Sequence, residues 1–141
     1  VFERFEQEVD AIAAWLREGE LSRACVVART NELRDRYRNA LETRGIGTYE
    51  VRRSAADDPS KPGVRLATMH RVKGLEFDRV VVAGMSEELM PWRKQVMRSD
   101  DAAVKREAEM MERALLYVAV TRAKRAVLVT AHGKPSGWIG A

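Results

Sequence analysis

Residues 64–84, VRLATMHRVKGLEFDRVVVAG, contain the pattern on which the fold prediction depends. Two apolar runs, 64–69 and 80–83, lack a clean alternation of polar and apolar residues. That pattern is typical of strands covered on both faces, as in a parallel α/β sheet. The connection between these two runs is rich in functional groups, carried by Thr68, His70, Lys73, Glu76 and Asp78. A hydroxyl, an imidazole, an ammonium and carboxylates between two buried strands indicate a binding site rather than a simple turn.

The rest of the chain predicts helices and further strands around this segment. Helical spacing of apolar residues predicts a helix over 2–18, a second helix capped by Thr30 or Asn31, and a long helix carrying Val104, Ala108, Met111, Leu115 and Val118. Strands are predicted at 24–28, 48–52 and 126–131, a loop at 54–63 and an irregular segment at 86–102. This order predicts a three-layer α/β domain with a mostly parallel sheet.

Composition and charge limit the class of protein. The 141 residues fit one domain, 1–141, with an N-terminal helix within 1–19 and a flexible tail at 133–141. No apolar run reaches the length of a membrane span, so we expect no membrane partner. The one cysteine, Cys25, excludes an internal disulfide and suits a reducing cytoplasm. With His70 and His132 as the only histidines, no zinc cluster can form. A net charge of +4 favours an anionic partner.

Two common catalytic motifs are absent from the sequence. A phosphate-binding loop requires Gly-x-x-x-x-Gly-Lys-Ser/Thr before a helix, and the Gly-Lys pair at 133–134 is followed by proline. The nucleophile elbow Gly-x-Ser-x-Gly is also missing. The chain is therefore not expected to act by itself as a nucleotide hydrolase or a serine hydrolase. Since Val1 is not an initiator methionine, we expect it to be a piece of a longer protein.

The side chains at the strand ends have bland interpretations as well as functional ones. Arg29 follows a buried strand and either projects as a fixed charge or pairs with a nearby acid. His70 either contacts nucleic acid or is a satisfied polar residue. Lys73 and Gly74 form either a ligand contact or an ordinary turn, and Glu76 either accepts from a ribose hydroxyl or is solvated. Trp92, in a basic stretch, either stacks with a base or anchors a loop.

Residues 68–77, TMHRVKGLEF, and residues 117–123, YVAVTRA, strongly resemble motifs V and VI of the UvrD/Rep-like superfamily 1 DNA helicases. Residues 24–46 resemble motif IV, a strand ending in Arg-Thr-Asn before a helix. Together these segments indicate the second RecA-like domain of that family, called 2A. The resemblance implies a RecA-like (P-loop NTPase-like) fold without its own phosphate loop.

The resemblance also implies a function for each matched residue. Arg122 is expected to be the arginine finger that stabilises charge on the γ-phosphate of ATP, and Arg29 a second catalytic arginine. Lys73, Gly74, Glu76 and Thr121 are expected on the ATP side, and Thr68 and His70 on single-stranded DNA. ATP and Mg²⁺ would be bound mainly by a first RecA-like domain of the same protein. The family moves 3′ to 5′ along DNA and unwinds duplexes, and this fragment alone is expected to be inactive.

One structural question and two alternative functions stay open at the level of sequence. Many relatives carry a large inserted subdomain between motifs IV and V, whereas residues 47–63 leave room only for a short strand and loop. Either the protein is a compact variant or the insert was deleted. The first alternative function is that of a degenerate module that binds nucleic acid or a partner protein without ATPase activity. The second is that of the motor part of a helicase–nuclease.

Overall fold

The computed structural model describes residues 1–51 and 57–139. Its helices and strands follow the predicted order, with one additional short helix. The helices are α1 (Phe5–Leu16), α2 (Asn31–Thr43), α3 (Arg93–Val96) and α4 (Ala102–Val120), and the strands are β1 (Ala24–Ala28), β2 (Thr48–Glu50), β3 (Val64–Thr68), β4 (Phe77–Val82) and β5 (Ala123–Val129). Short 3₁₀ turns occupy Leu21–Arg23 and Gly137–Ile139.

All five strands form one parallel sheet in the order β2-β3-β1-β4-β5. The predicted three-layer α/β domain is therefore confirmed, and the sheet is wholly parallel. Alternate residues of the central strand β1 face opposite layers, which explains its continuous apolar sequence. Val26 and Ala28 pack with α1 and α2, whereas Cys25 and Val27 pack with α4 and the segment that connects β3 to β4.

That connecting segment, residues 69–76, is the crossover, and it contains no helix. Met69 and Val72 are fully buried on the α4 face of the sheet, and Leu75 packs against the same cluster. The intervening His70, Lys73 and Gly74 are exposed. The crossover therefore covers the sheet with its apolar residues and presents its polar residues to solvent.

The strand boundaries differ from prediction in the second half of the sheet. Strand β4 begins at Phe77 rather than at residue 80, because its polar residues find partners. Arg79 donates to the carbonyl oxygens of Trp15 and Leu16 at 2.6 and 2.8 Å, and Asp78 lies 3.6 Å from Arg23. Polar side chains that are satisfied in this way do not interrupt a strand.

Strand β5 was predicted at 126–131, and the bounds in the structure differ. It spans Ala123–Val129 at the edge of the sheet, where Val127 and Val129 stay 39% and 38% exposed. An edge strand lacks a neighbour on one side, so an apolar sequence does not guarantee burial. The helix predicted over 2–18 is shorter, and α3 lies within the segment predicted to be irregular.

The segment predicted to be a flexible tail makes several contacts up to residue 139. Ser136 is buried and donates to the carbonyl oxygen of Met90. The guanidinium carbon of Arg113 lies 4.3 Å from the centre of the Trp138 ring. The domain bounds stay a prediction. Residue 52 of the predicted strand and residues 54–56 of the predicted loop lie outside the described residues.

Candidate functional site at two edges of the sheet

The residues predicted to form the site lie at opposite ends of the parallel strands. The side on which the strands end is called the carboxyl edge, and the side on which they begin is called the amino edge. Thr68 ends β3 and pairs in register with Ala28, directly before Arg29, so both belong to the carboxyl edge. Gly74 and Glu76 precede β4, and Arg122 precedes β5, so these belong to the amino edge. Because the five-residue β1 spans about 16 Å, the two groups are well separated. The crossover connects them.

A cavity of about 170 Å³ opens at the carboxyl edge beside α4. Its lining includes Arg29, His70, Trp92, Gln95, Met111 and Glu112. Thr68 ends the strand just before this cavity and is itself buried. An exposed imidazole, an indole and an amide therefore line this cavity.

Arg29 and Glu112 form a buried ion pair in the wall of this cavity. Arg29 is 5% exposed and Glu112 is 1% exposed. The Nε and Nη2 atoms of Arg29 donate to the two carboxylate oxygens of Glu112 at 2.9 and 2.7 Å. The guanidinium carbon of Arg29 lies 4.9 Å from the centre of the Trp92 ring. The backbone N–H of Trp92 donates to a carboxylate oxygen of Glu112 at 2.8 Å. Both charges are thus neutralised inside the domain.

The charges in this wall also influence His70. Partial loss of water around the ring lowers the pKa of His70 below its ordinary value of 6.5. The positive charges of Arg29 and Arg71 lower this pKa further, whereas the negative charge of Glu112 raises it. The pKa of His70 is therefore lowered, which favours the neutral form of the imidazole.

Arg122 is the centre of the amino-edge group, and its surroundings contrast with those of Arg29. Its Nε donates to the carbonyl oxygen of Val118 at 3.0 Å, its Nη1 to that of Leu75 at 3.5 Å, and its Nη2 to the hydroxyl of Thr121 at 3.2 Å. All of these acceptors are neutral. Among the described residues, no carboxylate comes within ion-pair distance of this guanidinium, so its charge is uncompensated.

The end of the crossover lies directly beside Arg122. The backbone N–H of Phe77 donates to the carbonyl oxygen of Arg122 at 2.9 Å. Glu76 lies 3.7 Å from Lys124. Gly74 adopts a φ of 84°, and, apart from its two chain neighbours, no described residue has an atom within 4 Å of where a Cβ would stand. Residues 73–76 and 121–124, distant in sequence, therefore line one surface with an open approach and an excess of positive charge.

Sequence reasoning did not identify Glu112. The predicted apolar stripe of the long helix included Val104 and Met111, but these are 46% and 63% exposed, whereas Glu112 and Ala119 are buried. A signal was present in the sequence, because Glu112 is spaced at helical intervals from Ala108, Leu115 and Ala119. An acid within such a stripe indicates a buried partner of opposite charge.

Among the residues that the structure describes, no three His, Cys, Asp or Glu side chains cluster in a way that could hold a metal ion. Within residues 1–51 and 57–139, no helix is both long enough and apolar enough to span a lipid bilayer.

Comparisons with known proteins agree with the resemblance seen in the sequence. A family model described as the UvrD-like helicase C-terminal domain matches residues 49–134, more than half of the chain. The ATP-dependent DNA helicase PcrA of Staphylococcus aureus (strain Mu50 / ATCC 700699) is 41% identical over 68 residues, which are 48% of this chain and 9% of that protein. PcrA of Staphylococcus epidermidis (strain ATCC 12228 / FDA PCI 1200) gives the same identity and the same coverage. The matched part of the chain therefore spans less than a tenth of the length of these curated relatives.

A solved structure shows the same fold. It is the crystal structure of the C-terminal domain of a possible DNA helicase from Lactobacillus plantarun WCFS1. The two chains superpose with a TM-score of 0.72 at 22% sequence identity, over 99% of this chain and 75% of the other. The five-stranded parallel sheet and this likeness agree with the predicted RecA-like fold.

Proposed function

Because the chain belongs to the UvrD-like helicase C-terminal domain family, we propose that it is the C-terminal motor domain of an ATP-dependent helicase that moves 3′ to 5′ along single-stranded DNA. Its amino edge contributes to an ATP site that a first RecA-like domain of the same protein completes. Its carboxyl edge contacts the DNA strand. The relatives named PcrA are ATP-dependent DNA helicases, and this proposal extends their activity to the full-length protein.

The observation that carries the proposal is the uncompensated charge of Arg122 beside the end of the crossover. A guanidinium that donates only to neutral acceptors keeps its full charge for an incoming anion. Its planar fork meets phosphate oxygens in two directions. Arg122 is therefore proposed to stabilise the negative charge that develops during phosphoryl transfer.

The other amino-edge residues fit a nucleoside triphosphate. The open space beside Gly74 lets the backbone approach a ligand, and Lys73 adds a positive charge at the surface. Glu76 is exposed and suits a ribose hydroxyl, while Thr121 holds a nitrogen of Arg122. ATP with Mg²⁺ would supply the free energy of phosphoryl transfer, and the residues of this chain would bind, orient and neutralise.

The expectation that Arg29 is a second catalytic arginine stays a prediction that the geometry does not support. Arg29 lies at the edge opposite Arg122, and Glu112 already neutralises its charge. Reaching a γ-phosphate would require breaking a buried ion pair, and removing one partner of such a pair typically costs about 3–5 kcal/mol. We therefore propose Arg122 as the catalytic arginine and place Arg29 with the DNA-binding residues.

The carboxyl edge suits a single strand of DNA. His70 is exposed beside a cavity that Trp92 also lines, and unpaired bases stack on aromatic rings of this kind. Thr68 lies at the same edge but is buried, so its contact with DNA stays a prediction. Since the crossover runs from this edge to Arg122, a single segment of eight residues, 69–76, contacts both proposed ligand sites.

The proposal is tested by ATP hydrolysis of the full-length protein with and without single-stranded DNA. Arg122→Ala is expected to lower DNA-stimulated turnover by about 10³-fold or more, while binding of single-stranded DNA stays close to that of the wild type. Arg125→Ala is the matched control, because it removes the same charge from an exposed position three residues later. Its turnover should equal that of the wild type.

Three results would reject parts of the proposal. Turnover above about a tenth of wild type in Arg122→Ala rejects the catalytic role of Arg122. DNA binding without hydrolysis in the folded wild type favours the degenerate binding module. Movement in the 5′-to-3′ direction rejects the proposed polarity.

A further inference from the structure

Helix α4 contacts the rest of the domain through a buried carboxylate as well as through apolar residues. Along Ala102–Val120, the buried residues are Glu112 and Ala119, while Met110 and Met111 face solvent. Amphipathic helices normally dock through apolar residues. Ala119 and the partly buried Leu115, Leu116 and Val120 dock the carboxyl-terminal turns of α4 in this way, whereas on the amino-terminal side of Leu115 the buried side chain is the carboxylate of Glu112.

This carboxylate binds two other elements at once. Its Oε1 accepts from Arg29 Nε at 2.9 Å and from the backbone N–H of Trp92 at 2.8 Å, and its Oε2 accepts from Arg29 Nη2 at 2.7 Å. Arg29 follows β1 and Trp92 directly precedes α3. Glu112 therefore joins α4, the end of β1 and the segment before α3, which together form the wall of the cavity.

Stability alone does not account for a charge in this position. A buried ion pair often contributes no more than a well-packed apolar pair of similar volume. A bidentate contact does supply orientation, because two parallel hydrogen bonds fix the plane of the guanidinium. Here that orientation sets Arg29 over the ring of Trp92, 4.9 Å from its centre.

We propose that Glu112 is a positioning residue for the nucleic-acid site, holding Arg29 and Trp92 in place beside the exposed ring of His70. A single strand of DNA then meets side chains that are already ordered. Its binding free energy is therefore not reduced by the entropic cost of ordering Arg29 and Trp92. This role rests on the proposed function, because it assumes that the cavity at the carboxyl edge receives single-stranded DNA.

The test measures equilibrium binding of a fluorescently labelled oligothymidylate to the full-length protein at fixed salt. Glu112→Gln keeps the size of the side chain but removes the charge that pairs with Arg29. It is expected to weaken binding about tenfold or more, and to raise the DNA concentration that half-saturates ATP hydrolysis more than it lowers the maximal rate. Glu109→Gln, an exposed position on the same helix, is the matched control and should bind like the wild type.

A double variant separates positioning from folding. Arg29→Met with Glu112→Leu replaces the ion pair by apolar side chains and should recover most of the stability that either single change loses. Its DNA binding should stay weak, because nothing then orients the wall. Wild-type affinity in this double variant would overturn the positioning role, as would wild-type affinity in Glu112→Gln. If the wild type itself neither binds the oligonucleotide nor shows stimulated hydrolysis, the proposed function fails, and the role of Glu112 fails with it.

Discussion

Replacing Arg29 by methionine removes the counter-ion of a buried carboxylate and is expected to destabilise the domain strongly. The side chains of Arg29 and Glu112 are 6% and 2% exposed, so little water can solvate the charge that remains. Breaking a buried pair in this way typically costs about 3–5 kcal/mol. Because Trp92 still donates its backbone N–H to Glu112, we expect a value near the lower end, about 3 kcal/mol.

Urea denaturation of the isolated domain measures this cost. Proteins of this size unfold with a slope of about 1–3 kcal/mol per molar urea, so a loss of about 3 kcal/mol moves the midpoint by roughly 1.5 M at a slope of about 2. Arg122→Met is the matched control, since it removes the same kind of side chain from neutral acceptors at a half-buried position. Its cost should stay below about 1.5 kcal/mol.

The comparison of Arg29→Met with Arg122→Met tests whether the buried ion pair of Arg29 and Glu112 forms in solution. Equal midpoint shifts for Arg29→Met and Arg122→Met would show that the buried pair does not form in solution. Arg29 would then be free to extend towards a phosphate, as the resemblance to motif IV implies. A much larger shift for Arg29→Met would support its assignment to the carboxyl edge.

Two further predictions concern titration and a buried acid. Because the folded pKa of His70 lies below 6.5, the stability that this residue contributes is present above pH 6.5 and is lost as the pH falls below it. The urea midpoint of unfolding should therefore decrease more from pH 7.5 to pH 5 in the wild type than in His70→Gln. Equal decreases would contradict the lowered pKa of His70 that partial burial and the charges of Arg29, Arg71 and Glu112 produce. Tyr37→Phe removes a hydroxyl that donates to the buried Glu8. It should cost about 1.5–3 kcal/mol in urea denaturation. Tyr117→Phe, at an exposed position, should cost less than about 0.5 kcal/mol, and equal losses would refute the role of the buried bond.

Much of the fold was predictable from local patterns in the chain. The continuous apolar run at β1 requires cover on both faces, and α1 and α2 follow from apolar residues at helical spacing. The sequence predicted a cap at Thr30 or Asn31, and the structure selects Thr30, whose hydroxyl accepts from the backbone N–H of Leu33 at 3.2 Å. The limits of β4 and the exposure of β5 were not, since they depend on neighbours that are distant in sequence.

The candidate site shows the same division. The functional groups of the crossover follow from residues 68–77 alone, and so does the resemblance to motif V. The contact of the crossover with Arg122 does not, because Leu75 and Arg122 meet only through the pairing of β4 with β5. The cavity at the carboxyl edge likewise needs α4 laid across the sheet.

The sequence by itself determined the class of fold, the family and the set of residues available for chemistry, because periodicity and motifs are local properties of a chain. Only the tertiary structure decided which arginine keeps its charge. Arg29 and Glu112 are 83 positions apart, and their pairing depends on where the sheet order and α4 bring them together. That contact neutralises Arg29, whereas Arg122 donates only to neutral oxygens, so the two arginines have different electrostatic roles for a reason that no local pattern contains.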